Sequence, residues 1–561
     1  MKMMLFKILC ILILLSGISC AKKIDEPKVD EESAVLLKMI LPNVAASGST
    51  IQLQGRGFGS DLTNVEVKFG EAKAEILELK NDVIEVKVPV LAGGTKVDVA
   101  VNLGGVNSNL KSFRVRNIEE IVLEEKDTVE WTENKNANIV AIEQGVLSYN
   151  EQVVKYIRNG KQLLEVEMGK PSIVVVADEE VGWGFYNFPS IRRSLSGQLA
   201  AGWSMAHDDA SSYGKPGVGI NSAVSNDGGV TWTTVIKGPT GAGMLLSNGD
   251  RISISTPAAV PLEELELPVP LATLQDQSTY GRVFRVYDYS KLPLQLQGTY
   301  QARMKKGQTS WITERGVLNS PKLARYADGN LFPIVWWGDL QETSDGLYIC
   351  PYPGFEINQS GGISPAGVIC YKSTDFGKNW VKQGSIIYQP DLALDPNGSK
   401  RNTLGWTEPA FAALKNGTFL SILRTQDGFG KSPMYWTTST NKGVSWSTPK
   451  VFTGSGVLPK LLELNNGVVA MAAGRPGVQL RFMLNSDPND WTEPFEMLPW
   501  AGSDLQQSEG NVNTGASCGY TQLLKIDDNS FLIIYSDFQH KTAEGQIRKS
   551  IKVRKVTVKK V

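Results

Sequence analysis

From Val35 to Val115 apolar and polar residues alternate over short runs: Thr50-Ile-Gln-Leu-Gln54, Val65-Glu-Val-Lys-Phe69, Val83-Ile-Glu-Val-Lys-Val88 and Val97-Asp-Val-Ala-Val101. A period of two predicts half-buried strands. Glycine turns at Gly55-Arg-Gly-Phe-Gly59, Gly70, Gly93-Gly94 and Gly104-Gly105 separate the runs, and strands at this spacing predict an immunoglobulin-like β-sandwich. From about Ile118 onward there is no long helical period, only short β runs. An apolar strand with a central polar-Gly turn recurs as Pro189 to Leu199, Met244 to Ile252, Pro321 to Leu331, Pro409 to Phe419, Pro459 to Val468 and Tyr520 to Phe531. Six such repeats predict six blades of a β-propeller, with the stretch Asn138 to Val176 supplying the strand that closes the ring. The fold class expected is therefore all-β.

A second repeat supports the first. Ser225-Asn-Asp227-Gly-Gly229-Val-Thr-Trp232 and Ser373-Thr-Asp375-Phe-Gly377-Lys-Asn-Trp380 fit Ser-x-Asp-x-Gly-x-x-Trp, and Ser439-Thr-Asn441-Lys-Gly443-Val-Ser-Trp446 replaces Asp with Asn. The spacing has a physical reason: Ser and Asp satisfy turn amides, Gly takes a positive φ, and Trp folds back onto the hairpin. At average composition the four positions match by chance at on the order of one start site in a few hundred thousand, so two full matches and one near match identify an Asp box. Degenerate versions lie around Trp311 and from Asp487 to Trp491.

Composition narrows the chemistry. Lys plus Arg (57) nearly balance Asp plus Glu (58), so there is no basic footprint for nucleic acid. Two His and five Cys leave few ligands for zinc, while 13 Trp, 16 Tyr and 55 Gly suit turn-dense β structure with aromatic surfaces for carbohydrate. No cofactor is expected, and the oligomeric state cannot be read. Cys350 and Cys370 could bridge across the intervening loop, or they and Cys518 could be buried thiols.

Lys2 and Lys7 precede the apolar run Ile8 to Leu15, and small or polar residues lead to Cys20, the pattern of a signal peptide. Leu15-Ser-Gly-Ile-Ser-Cys20 resembles a relaxed lipobox, which implies cleavage before Cys20, its acylation, and anchoring to a membrane of the cell envelope. Lys22 to Ser33 reads as a flexible tether. The organisation expected is a lipoprotein signal peptide over 1–19, a tether over 20–34, the sandwich over 35–117 and the propeller over 118–561.

The sandwich resembles the IPT/TIG family through Pro42, Gly48, Gly55 to Gly59, Val65 to Gly70, Val83 to Pro89 and Phe113-Arg-Val115. This implies a spacer in preference to a binding module.

Functional residues of a propeller are sought where inner strands begin, because those ends converge on the axis. Glu408 precedes Pro409, Arg424 ends the run Phe419 to Arg424, Arg475 sits in Gly474-Arg-Pro-Gly477, and Tyr520 opens the last repeat. In this order they resemble the sialidase superfamily over roughly residues 140 to 560. The resemblance implies an exo-acting glycoside hydrolase in which Tyr520 is the nucleophile, Glu408 its base, and Arg424 and Arg475 two arms of an anion clamp. The family's first arginine falls at Asn187 in Tyr186-Asn-Phe-Pro189, so the substrate expected is a terminal acidic or related sugar, with sialic acid itself open. Arg192 and Arg193 follow, beyond the proline and within the strand. The acid/base is expected in Ala206-His207-Asp208-Asp209-Ala210, with Asp209 leading, Asp208 as alternative or substrate contact, and His207 as rival. The physics agrees: a phenol needs a base at neutral pH, and converging guanidiniums call for an anion. Trp183, Trp203, Trp336, Trp337 and Trp406 are candidate sugar platforms or packing residues, with Trp406 preferred for substrate, and Asp339 is a further pocket candidate.

Two rivals stand beside the hydrolase: a lyase on uronic-acid polysaccharide, with His207 and Tyr520 moving protons, and a non-catalytic surface protein that binds glycan.

Overall fold

The computed structural model describes residues 35–41, 44–80, 82–93, 95–116, 119–125, 140–142, 145–147, 151–215, 219–276, 281–425, 433–454, 456–475, 477–498 and 518–561. The expected signal peptide, Cys20 and the tether lie outside them.

The alternating runs near the N-terminus form two facing sheets. One orders Leu36–Leu41, Thr50–Arg56, Val83–Lys87 and Glu75–Lys80; the other contains Val44–Ala46, Lys111–Arg116, Lys96–Leu103, Val65–Phe69 and Ala72–Lys73. The apolar half of each run faces inward, so Ile51, Leu53, Val67, Phe69, Ile84, Val86, Val99, Val101 and Phe113 make one core, with Phe69 edge-on to Phe113 at 5.1 Å. This is the immunoglobulin-like sandwich expected.

Most of the remaining strands form a six-bladed propeller. The first blade orders Asn187–Arg193, Leu199–Ser204, Ser222–Ser225 and Thr233–Val235; the fourth, Trp406–Ala413, Phe419–Thr425, Met434–Ser439 and Lys450–Thr453; the fifth, Val457–Glu463, Val469–Gly474, Val478–Met483 and Phe495–Leu498. The second blade is Met244–Leu245, Arg251–Ile254, Thr299–Met304 and Ile312–Asn319, and the third is Leu340–Thr343, Gly346–Ile349, Val368–Ser373 and Asn379–Ile386. Their outer strands also pair with each other in parallel, Leu318 opposite Trp380. The sixth blade is closed as a clasp: Thr521–Lys525, Ser530–Lys541 and Ile547–Lys560 come from the C-terminal end, and Lys161–Met168 and Ser172–Val176 both pair antiparallel with Ile547–Lys560. Clusters such as Ala410, Leu420, Ile422, Val469, Met471 and Ala473 fill the space between neighbouring blades.

Six blades are present, as the repeats predict, but one of the six repeats lies outside them. Pro321 to Leu331 is no blade. Leu323–Asp328 and Leu331–Phe332 belong to a separate sheet with Val260–Pro261, Ala272–Gln275, Val283–Asp288 and Phe355–Glu356, and the third blade's inner hairpin is Leu340 to Ile349. Both hairpins turn on Asp-Gly, Asp328-Gly329 and Asp345-Gly346, so local chemistry cannot say which sheet each joins.

The Ser-x-Asp turns all join a third strand to an outer strand. Ser225 Oγ donates to Asp227, Gly229 N donates to Ser225 Oγ at 2.9 Å, and Trp232 Nε1 caps the Gly229 carbonyl at 3.1 Å. Asn441 reproduces the pattern, accepting from Ser439 Oγ and Ser445 N, both at 2.9 Å. Cys350, Cys370 and Cys518 are buried thiols, and the possible Cys350–Cys370 bridge is not formed.

Candidate functional site

Three inner strands open on one device. Phe188, Glu408 and Leu458 each precede a proline and each take a positive φ (47°, 40° and 41°), and strand pairing slips at all three points. A residue before proline normally stays extended, and a side-chain-bearing residue in the left-handed region costs about 1–3 kcal/mol. The slip re-aims these residues as the strand reaches the axis. Arg475, at φ 37°, follows the fifth blade's second strand, whose end lies at the same face.

The convergence brings four of the sequence candidates together with Asp208. Glu408 forms an ion pair with Arg424 and accepts from Leu458 N at 3.1 Å. Tyr520 is sandwiched: Phe188 stacks on its ring at 4.4 Å, and the Arg475 guanidinium stands 5.0 Å from its centroid. Burial pushes the phenol well above its ordinary pKa, Glu408 and Asp208 add to the push, and Arg475 and Arg424 oppose it. The same guanidinium lies 5.0 Å from the Trp183 ring, and Trp183 Nε1 donates to Asp208 Oδ2 at 3.0 Å. Trp183 thus ties Asp208 to Arg475. Asp208 is exposed as a residue, yet crowding of its carboxyl raises its pKa; Glu408 adds to the rise, while the Trp183 hydrogen bond and both arginines lower it.

Neighbouring candidates do other work. Asp209 caps the short turn Ala210–Ser212, accepting from Ser211 N at 2.8 Å and from its hydroxyl, and these bonds hold its carboxyl below the usual range. His207 is exposed and meets Phe185 edge-on at 5.4 Å. Asn187 is fully buried; its Oδ1 accepts from Phe188 N at 2.9 Å, and its Nδ2 has no partner among the described residues. A Cβ on Gly519 would meet Asn187 Oδ1 at 1.9 Å, so glycine is required where the chain enters Tyr520. Arg192 turns toward the Pro239 carbonyl, so no guanidinium enters the cluster from this strand.

Trp406 is a correction: it is wholly buried, donating to the Ile387 carbonyl at 3.1 Å between Tyr388 and Tyr435, and cannot touch a ligand. Trp203 and Trp336 are also core residues. Asp339 accepts from Phe411 N at 3.1 Å and lies 3.5 Å from Lys460, linking inner strands. Trp337 is the exposed member, edge-on to Tyr213 at 5.1 Å and stacked on Tyr352 at 6.4 Å. Tyr352 is within electrostatic reach of Glu408, Arg424 and Arg282, and Arg282 pairs with Asp328 on the separate sheet. That sheet is built from connections leaving the second and third blades at the end where inner strands begin, so it walls the cluster on one side. The sequence held one sign of it, a gap between Ile252 and Trp311 too long for one blade. Among the described residues no group of three or more His, Cys, Asp or Glu could hold a metal ion.

Residues 36–115 match the IPT/TIG domain family. No curated protein matches the chain. Among solved structures it is similar to a protein of unknown function from Dyadobacter fermentans DSM 18053, at 16% identity over 70% of this chain and 99% of that one, TM-score 0.41. It is also similar to Penicillium chrysogenum alpha-L-arabinanase complexed with arabinobiose, at 14% over 69% and 98%, TM-score 0.38. A Hadza microbial sialidase follows at 12% over 94% of each chain, TM-score 0.35. Likeness this distant places no residue of one chain upon a residue of another.

Proposed function

We propose that this protein is an exported, lipid-anchored glycoside hydrolase that removes a terminal acidic or related sugar from a complex glycan, by a double displacement through Tyr520. The observation that carries the reading is the enclosure of one phenol by Glu408, two arginines and Asp208 at the axial end of the propeller. A buried phenol with a raised pKa is neutral, which avoids repelling an anionic substrate, and it needs a base to attack. Glu408, pinned by Arg424, takes the phenolic proton as Tyr520 Oη bonds to the anomeric carbon. Asp208, whose raised pKa keeps it protonated to higher pH, delivers its proton to the departing glycosidic oxygen. In the second half Asp208 takes a proton from water, the water oxygen displaces Tyr520, and the phenol recovers its proton from Glu408. Arg424 and Arg475 pair with the sugar's acidic group, and a two-arm clamp without Asn187 relaxes the demand for sialic acid.

Acid/base duty thus passes from Asp209, which caps a turn, to Asp208. The test is monosaccharide release from host mucin, plant and algal glycans. Tyr520→Phe and Glu408→Gln should each lower kcat by on the order of 10²–10⁴ with KM little changed; unchanged turnover sinks the reading. A rise in ultraviolet absorbance from an unsaturated product would instead establish the lyase, and binding without product the glycan-binding protein. For the anchor, Cys20→Ala should move the protein from the membrane fraction to the soluble one and abolish labelling by a fatty-acid probe.

A further inference from the structure

At the far end of the first blade's inner strand lies a second set of cations. Arg193 is six residues from Asn187, roughly 20 Å along the strand, at the turn into the second strand and so at the end opposite the cluster around Tyr520. There Arg192, Arg193 and Arg251 line one open cleft of about 470 Å³ with Ile191, Leu195 and Leu524. The size falls within the range of small-ligand pockets, roughly 300–1,000 Å³.

Each arginine is held by neutral oxygens alone in the bonds it makes. Arg192 Nε donates to the Pro239 carbonyl at 3.3 Å and Nη1 to Ser190 Oγ at 3.5 Å. Arg193 Nη1 donates to the Gly197 carbonyl at 3.1 Å and Arg251 Nη1 to the Ala242 carbonyl at 3.2 Å. No carboxylate among the described residues pairs with any of the three, and no acidic side chain lines the cleft. Asp250, beside Arg251 in the chain, is turned to Arg303 and Lys306 N. Burial lowers the Arg192 pKa with no acidic neighbour to offset it. The chain also makes room for this stem: a Cβ on Gly241 would meet Arg192 Cδ at 2.7 Å, and one on Gly202 would meet Nη1 at 3.1 Å. A guanidinium has five N–H donors, so each retains capacity beyond these bonds. Three cations at one cleft repel unless an anion sits among them.

We propose that this cleft is a second, non-catalytic binding site for the carboxylate or sulfate groups of an acidic polysaccharide. Guanidinium forks grip such oxyanions, and exposed Leu195 with part-buried Leu524 offers an apolar floor that the C–H face of a sugar ring covers. An acidic peptide would more naturally add to a strand edge through unpaired backbone groups. Here the Gly197, Pro239 and Ala242 carbonyls are occupied by the arginines, and Ala242 N donates to the Arg193 carbonyl at 2.8 Å. The proposal is independent of catalysis at Tyr520.

Calorimetric titration of the full chain tests it, using a uronate oligosaccharide, a sulfated oligosaccharide and a glutamate-rich peptide, on a Tyr520→Phe background so that no ligand is consumed. Arg193→Ser with Arg251→Ser should weaken an acidic oligosaccharide roughly tenfold or more. Arg193→Lys with Arg251→Lys should recover part of the loss, and added sulfate should compete. In the active protein the serine pair should leave release of a small terminal sugar unchanged, which separates failure here from failure at the axial site. Equal affinities of parent and serine pair, or no oligosaccharide binding at low salt, would overturn the proposal. So would loss confined to the glutamate-rich peptide, which would make the occupant a protein segment. An unchanged melting temperature confirms that the serine pair is folded.

Discussion

Two adjacent aspartates, Asp208 and Asp209, show how little identity says about role. Both sit in one loop, but hydrogen bonds from Ser211 hold Asp209 ionised, while crowding raises Asp208 beside Trp183, Arg475 and Glu408. On the proposed mechanism Asp208→Asn lowers turnover by on the order of 10²–10⁴. Asp209→Asn costs about 1 kcal/mol of cap stability or less and leaves kcat nearly intact; kinetics and melting curves on the same samples separate the two. The Trp183 hydrogen bond favours the ionised form of Asp208, so Trp183→Phe raises its pKa further. Because the acid must be protonated, the alkaline limb of the kcat profile then moves to higher pH, and a limb that moves down would contradict the assignment. Trp406→Ala should cost about 3–5 kcal/mol through cavity formation, without a specific effect on KM.

Elements carry a different lesson. A proline at the start of an inner strand marks a slip in pairing, and the residue before it is bent toward the axis at Phe188, Glu408 and Leu458. Only one of the three is ionisable, so the device is structural and Glu408 is its chemical use. The Ser-x-Asp turns are likewise structural. Hydrogen bonds from Thr231 and Ser225 hold Asp227 far below the carboxylate value of 3.8. A depressed carboxyl contributes stability that is fully present above its unfolded pKa and is lost as pH falls through the folded one. Acidification below about pH 4 should therefore loosen this turn. Asn441 keeps the same bonds without a charge, so Asp227→Asn should preserve the turn and flatten the acid limb of the stability profile, read by thermal melts between pH 2 and 7.

The whole ring depends on its clasp. Because Lys161–Met168 and Ser172–Val176 pair with Ile547–Lys560, residues almost four hundred positions apart must meet before the sixth blade is complete. Long-range pairing of this kind is slow to form. Charge reversal at the exposed strand surface should be tolerated, whereas Val166→Asp and Val558→Asp, both at fully buried positions, should unfold the ring cooperatively, as read by near-ultraviolet circular dichroism. Strand period, the turn motif and a proline at the start of three inner strands were enough to determine an all-β chain, a sandwich followed by six blades, and the candidates Glu408, Arg424, Arg475 and Tyr520, because each rests on chemistry within a few residues. Three things were decided only by tertiary structure. The hairpin at Leu323 joins a wall and not a blade, since sheet membership depends on distant partners. Trp406 lies in the core and Trp183 at the cluster, since burial of an aromatic is set by what packs on it. Asp208 and Asp209 differ in pKa, since desolvation and hydrogen bonding arise only when Trp183, Arg475 and Glu408 are brought around one loop.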